Sequence, residues 1–132
     1  MPGTERKIIA VMTDLFFFAR IIDVAKKLGM TVELVKDGAT VLAKLQAQPS
    51  AIAAVIFDLN CEAADPIGSI QRIKGDPATK SVATIGFVSH VQTELKLRAQ
   101  ASGCDVVVAR SAFAQNLSAM LERYGAETAS RS

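Results

Sequence analysis

Ala53-Ala54-Val55-Ile56-Phe57-Asp58 is an apolar run that closes on a carboxylate. It has strand length, and with no polar position inside the run both of its faces must be covered. A strand of this kind sits in the middle of a parallel sheet and delivers its last residue, Asp58, to the sheet's rim. Outward from it in both directions, the chain alternates strand and helix patterns. Lys7 to Met12 reads as a first strand, and a helix from Leu15 to Leu28 follows, closed by Gly29. Thr31 to Val35 is the second strand, and Asp37 caps a helix through Gln46 whose inner face carries Val41, Leu42 and Leu45. The third strand spans Ala51 to Phe57. Asp65-Pro66 is a helix start, a capping aspartate with proline at the first helical position, before Ile67, Ile70 and Ile73. Val82 to Val88 and Asp105 to Ala109 are the last two strands. A polar-faced helix from Gln92 to Ser102, ended by Gly103, lies between them. Ser111 caps a final helix with Phe113, Leu117, Met120 and Tyr124 on its apolar face.

Such alternation predicts a doubly wound α/β fold with a five-stranded parallel sheet. The flavodoxin-like order 2-1-3-4-5 fits best, and it opens a crevice at the carboxyl ends of strands one and three. Met12, Thr13, Asp14 and Asp58 are expected to line it. The 132 residues suit one domain, placed at 1–125, with 126–132 expected as a disordered tail.

Composition excludes several classes. With 50% hydrophobic and 21% charged residues the chain is a packed protein, not a disordered one. A net charge of +2 without a Lys/Arg block argues against nucleic acid as a partner. No apolar run approaches the ~20 residues of a membrane helix, and the first seven residues have no signal-peptide pattern. Cys61 and Cys104 lack CxxC spacing, read as buried small hydrophobes, and favour a cytoplasmic setting. There is no G-x-G-x-x-G after a strand and no P-loop to cradle a phosphate. Leu15-Phe16-Phe17-Phe18 stands where a flavin's phosphate loop would lie. Ser89-His90 carries no nucleophile elbow, so His90 is expected to be a loop residue and no enzyme activity is expected.

Ile73-Lys74-Gly75-Asp76-Pro77-Ala78-Thr79-Lys80-Ser81-Val82-Ala83-Thr84-Ile85 and Ser102-Gly103-Cys104-Asp105 resemble segments of the response-regulator receiver domain. The resemblance runs from about Arg6 to Tyr124. Asp58 falls 46 residues after Met12, 30 before Val88 and 52 before Arg110, about the intervals of that family's pocket. The resemblance implies a CheY-like fold, makes Asp58 the equivalent of a phosphoryl-accepting aspartate, and implies other signalling proteins as partners. It also implies self-association through the face of helix four, strand five and helix five.

The pocket positions depart from that pattern. Met12 and Thr13 replace the acidic pair that holds Mg²⁺, and a thioether is a poor donor for a hard cation. Asp14 stands one position further on, where capping its helix is the simpler role. Val88 replaces a hydroxyl residue and has no hydrogen bond to give, and alternation along the strand turns Ser89 elsewhere. Arg110-Ser111 replaces Lys-Pro. A cis bond before serine would cost about 2.5–4 kcal/mol, so a trans bond and a rearranged loop are expected. Arg110 is expected to pair with Asp58 and keep it ionised.

On the first helix, Leu15, Phe18, Ile22 and Ala25 form an apolar stripe flanked by Phe17, Ile21, Val24 and Leu28. Phe16 falls on the polar face with Arg20, Asp23 and Lys27, and is a candidate partner contact. The resulting expectation is a pseudo-receiver that signals by protein–protein contact without a cofactor. The alternative is a phosphorelay receiver that uses Mg²⁺ and is phosphorylated on Asp58. A small flavodoxin-like enzyme or nucleotide binder is the third reading.

Overall fold

A computed structural model describes residues 6–48, 51–89 and 92–125. His90, the first five residues and 126–132, on which the sequence also raised expectations, lie outside them. Five strands, β1 (Arg6–Val11), β2 (Met30–Val35), β3 (Ile52–Asp58), β4 (Ala83–Val88) and β5 (Val106–Ala109), form one parallel sheet in the order β2-β1-β3-β4-β5. The helices are α1 (Leu15–Lys27), α2 (Gly38–Ala47), α3 (Pro66–Gly75), α4 (Thr93–Ala101), α5 (Arg110–Gln115) and α6 (Leu117–Tyr124), with a 3₁₀ turn at Glu62–Ala64. The expected topology is the observed one, and the element bounds differ by a residue or two at most ends.

Every residue of β3 before Asp58 is buried, because helices cover both faces of the sheet. Ile9, Val11, Val55 and Phe57 pack on one side against Val41, Leu45, Ile70 and Ile73 of α2 and α3. Ile8, Ala10, Met12 and Ile56 pack on the other against Phe17, Ile21 and Ala25 of α1 and against Phe113, Leu117 and Leu121. No helix among the described residues is long and apolar enough to cross a membrane. Cys61 and Cys104 are both free and buried.

Three local expectations need correction. The inward stripe of α1 is Phe17, Ile21 and Ala25, with Val24 and Leu28 half buried, while Leu15 is 59% exposed. Both candidate stripes have helical spacing, and the direction of the chain leaving β1 decides which one meets the sheet. The last helix starts at Arg110 with Ala109 in the capping position, so Ser111 lies in its first turn and caps nothing. It is then interrupted at Asn116, whose side-chain amide donates to the Ala112 carbonyl at 2.9 Å and competes with the backbone ladder. The expected trans bond at Arg110-Ser111 is observed, since no described peptide bond is cis.

Phe113 is fully buried, stacked on Phe87 at 5.5 Å and edge-on to Phe17 at 5.9 Å. Removing it opens a cavity between two helices and the sheet. Phe113→Ala is expected to cost about 3–5 kcal/mol, measured by urea unfolding.

Candidate functional site

The carboxyl ends of β1, β3 and β5 bring Asp14, Asp58 and Arg110 to one rim of the sheet. Asp58 is the last residue of β3 and half buried, and its Oδ1 accepts from the Asn60 backbone N–H at 3.0 Å. Asp14 caps α1: its Oδ1 accepts from the Phe17 N–H at 3.0 Å. Its Oδ2 accepts from the Arg110 guanidinium.

This overturns the expected Arg110–Asp58 pair. Arg110 lies 4.5 Å over the Phe17 ring, and Phe17 packs edge-on to Phe87 and Phe113. Because α5 begins at Arg110 itself, the side chain starts above this aromatic floor and runs across it toward α1. There it gains a ring face and a carboxylate together. Asp58 feels the cation only at longer range.

The two carboxyls consequently diverge. The Arg110 hydrogen bond, followed by the Phe17 N–H, holds Asp14 below the ordinary carboxylate range. Burial pushes Asp58 above it, against the Asn60 N–H and the charge of Arg110, and the charge of Asp14 adds to the rise. The expected lowering of the Asp58 pKa by Arg110 is therefore outweighed by burial.

The remaining pocket positions separate. Met12 is fully buried in the core and Val88 nearly so, while Thr13 is exposed. A divalent cation of the magnesium type needs several oxygen donors. Here both Asp14 oxygens are engaged, the Met12 thioether belongs to the core, and a guanidinium stands beside the rim. No group of three or more His, Cys, Asp or Glu among the described residues could hold a metal ion. The donor set does not fit magnesium.

The sequence missed Asn60. Its side-chain Oδ1 accepts from the Ser89 N–H at 2.9 Å and from the Ser89 hydroxyl at 2.8 Å. Its Nδ2 donates to Gln92 Oε1 at 2.8 Å. The Ser89 side chain thus turns to Asn60, just past the point where β4 ends at Val88. A polar residue two positions past the end of β3 was a visible signal, but its partners, 29 and 32 residues away, were not.

Phe16 is 93% exposed, as the helical spacing required.

No protein-family model and no curated protein sequence matches the chain. Solved structures do. The phosphorylated cyanobacterial phytochrome response regulator RcpA has a TM-score of 0.80 at 18% identity, over 92% of this chain and 95% of that one. The receiver domain of a Pseudomonas aeruginosa sensor histidine kinase, with magnesium coordinated in its active-site cleft, has a TM-score of 0.77 at 18% identity, over 92% and 98%. An orphan response regulator of H. pylori has a TM-score of 0.75 at 12% identity, over 93% and 98%. The chain has the flavodoxin-like, CheY-like fold of response-regulator receiver domains.

The divergent carboxyls make opposite contributions to stability. The folded-state pKa of Asp58 lies above its unfolded value, so its contribution is complete below the unfolded value and is lost as pH rises through the folded one. Asp14 is depressed, so its contribution is present above the unfolded value and is lost as pH falls through the folded one. Asp58→Asn is expected to melt at or above the wild-type temperature at neutral pH and to converge on it in acid. Asp14→Ala is expected to lose about 0.5–2 kcal/mol for the cap at neutral pH, and less in acid. Thermal melts against pH check both, and a marked fall for Asp58→Asn at neutral pH would contradict the assignment.

Proposed function

We propose that this chain is an atypical receiver, a single domain over residues 1–125. It signals by binding other proteins rather than by Mg²⁺-dependent phosphorylation of Asp58, and it performs no catalysis. The observation that carries this reading is the engagement of Arg110 with Asp14. It occupies the second carboxylate of the rim with an internal cation, whereas the Pseudomonas neighbour coordinates magnesium in its active-site cleft. Val88 supports the same conclusion, since a buried isopropyl group cannot follow a phosphoryl group by hydrogen bonding. Loss of the trigger leaves the face of α4, β5 and α5 in one dominant state, set by the sequence and by partners.

Phe16 is the proposed partner contact, an aromatic ring held in water at the first turn of α1 beside the rim. The orphan response regulator among the neighbours is compatible with this reading. The phosphorelay alternative keeps one observation in its favour: Asp58 stands half exposed at the end of β3. It would act with a kinase or phosphotransfer protein and an unorthodox metal site.

Adding Mg²⁺ at low millimolar concentration is expected to leave the amides of residues 12–14 and 58–60 unshifted in NMR spectra. Acetyl phosphate is expected to leave the intact mass unchanged. Saturable shifts together with a phosphoryl adduct would select the phosphorelay reading.

Phe16→Ala is expected to weaken partner binding about tenfold, the loss of a contact-centre aromatic. Asp58→Asn is expected to leave it nearly unchanged. If Asp58→Asn abolished binding in a protein with normal circular dichroism and melting, the carboxylate would be the switch.

A further inference from the structure

α4 is held firmly at one end only. Of its residues Thr93–Ala101, Ala99 is the buried one, Leu95 is half buried, and Leu97 is 58% exposed. At its carboxyl end the Ala99 carbonyl accepts from the Ser102 hydroxyl at 2.6 Å and from the Cys104 N–H at 3.2 Å. Ser102 and Cys104 are buried, and Gly103 takes the φ of +103° that this turn needs. At its amino end, Gln92 occupies the capping position without a side-chain capping bond.

Both flanks of the helix are open. A groove of about 600 Å³ separates it from the α3 side, lined by Leu59, Ile67 and Leu95 among others. A second, of about 370 Å³, lies on its β5 side against Val88, Leu97 and Ala109. Gln92 and Thr93 border both. The amino end of α4 therefore has room to move on either side and little apolar surface to hold it.

The Gln92 side chain is bonded instead to Asn60. We propose that Asn60 is a latch: its side-chain amide, bonded to Ser89 and Gln92, pins the amino end of a helix that is otherwise free to pivot about Ala99–Cys104. The post that carries the latch is rigid. Leu59 is buried, its N–H donates to the Phe87 carbonyl at 3.0 Å, and its side chain fills the space that a Cβ on Gly86 would enter. The Asn60 backbone N–H is in turn fixed by Asp58 Oδ1. With the latch closed, α4 stands in one position. With it open, the amino end swings, widening one groove and narrowing the other. The latch deepens the proposed single state of the α4 surface by naming what maintains it, and it rests on that reading only for its signalling meaning.

The test is amide hydrogen exchange on the full chain, comparing wild type with Asn60→Ala and with Gln92→Ala. Both side chains lie away from the core, so both variants are expected to fold. In each, the amides of Lys96 to Gln100 are expected to exchange at least tenfold faster, while those of β1 and β3 keep wild-type protection. Unchanged α4 protection in both variants, or an equal rise across β1, β3 and α4, would overturn the latch. Neither result bears on whether Asp58 is phosphorylated, and partner binding by Asp58→Asn does not bear on the latch.

Discussion

Burial of β3 on both faces is the constraint on which the rest of the structure depends. A strand paired on both edges and covered on both sides has no place for polar chemistry along its length, so the first polar position falls at its carboxyl end. Asp58 is that position. The switch in strand order between β1 and β3 opens the crevice at the same end, and this gathers Asp14 and the start of α5 around it. Core packing thus decides where a site can be before any site residue is considered.

What happens at the rim is a competition between two carboxylates for one guanidinium. Asp14 wins because it offers Arg110 two contacts at once, its own oxygen and the face of Phe17. Phe17 is held in place by Phe87 and Phe113, so an apolar cluster in the core settles an electrostatic question at the surface. Asp58 is left with one backbone N–H and partial burial, and burial raises its pKa. The rim thus holds one carboxylate engaged by a cation and one raised by burial.

α4 illustrates the opposite regime. The other central helices are fixed by apolar side chains driven into the sheet, and fixing them costs no specific partner. α4 contributes Ala99 and part of Leu95 to the core, so polar contacts weigh more in its position than in theirs. Such contacts are directional and few, and an element held this way is easier to release than one held by area.

The sequence by itself determined the sheet order, the buried strand, the caps at Asp14, Asp37 and Asp65, and the exposure of Phe16. The sheet order follows from the alternation of strands and helices under the crossover rule, and the others from local periodicity or turn chemistry within a few residues. It also displayed the altered pocket positions, because intervals along the chain survive folding. Only the tertiary structure decided which stripe of α1 faces inward, which carboxylate takes Arg110, and that Asn60 reaches Ser89 and Gln92. Each of those depends on how elements distant in sequence approach one another. Two stripes of equal apolarity, or two carboxylates within reach of one cation, are told apart by angles and distances that no single segment encodes.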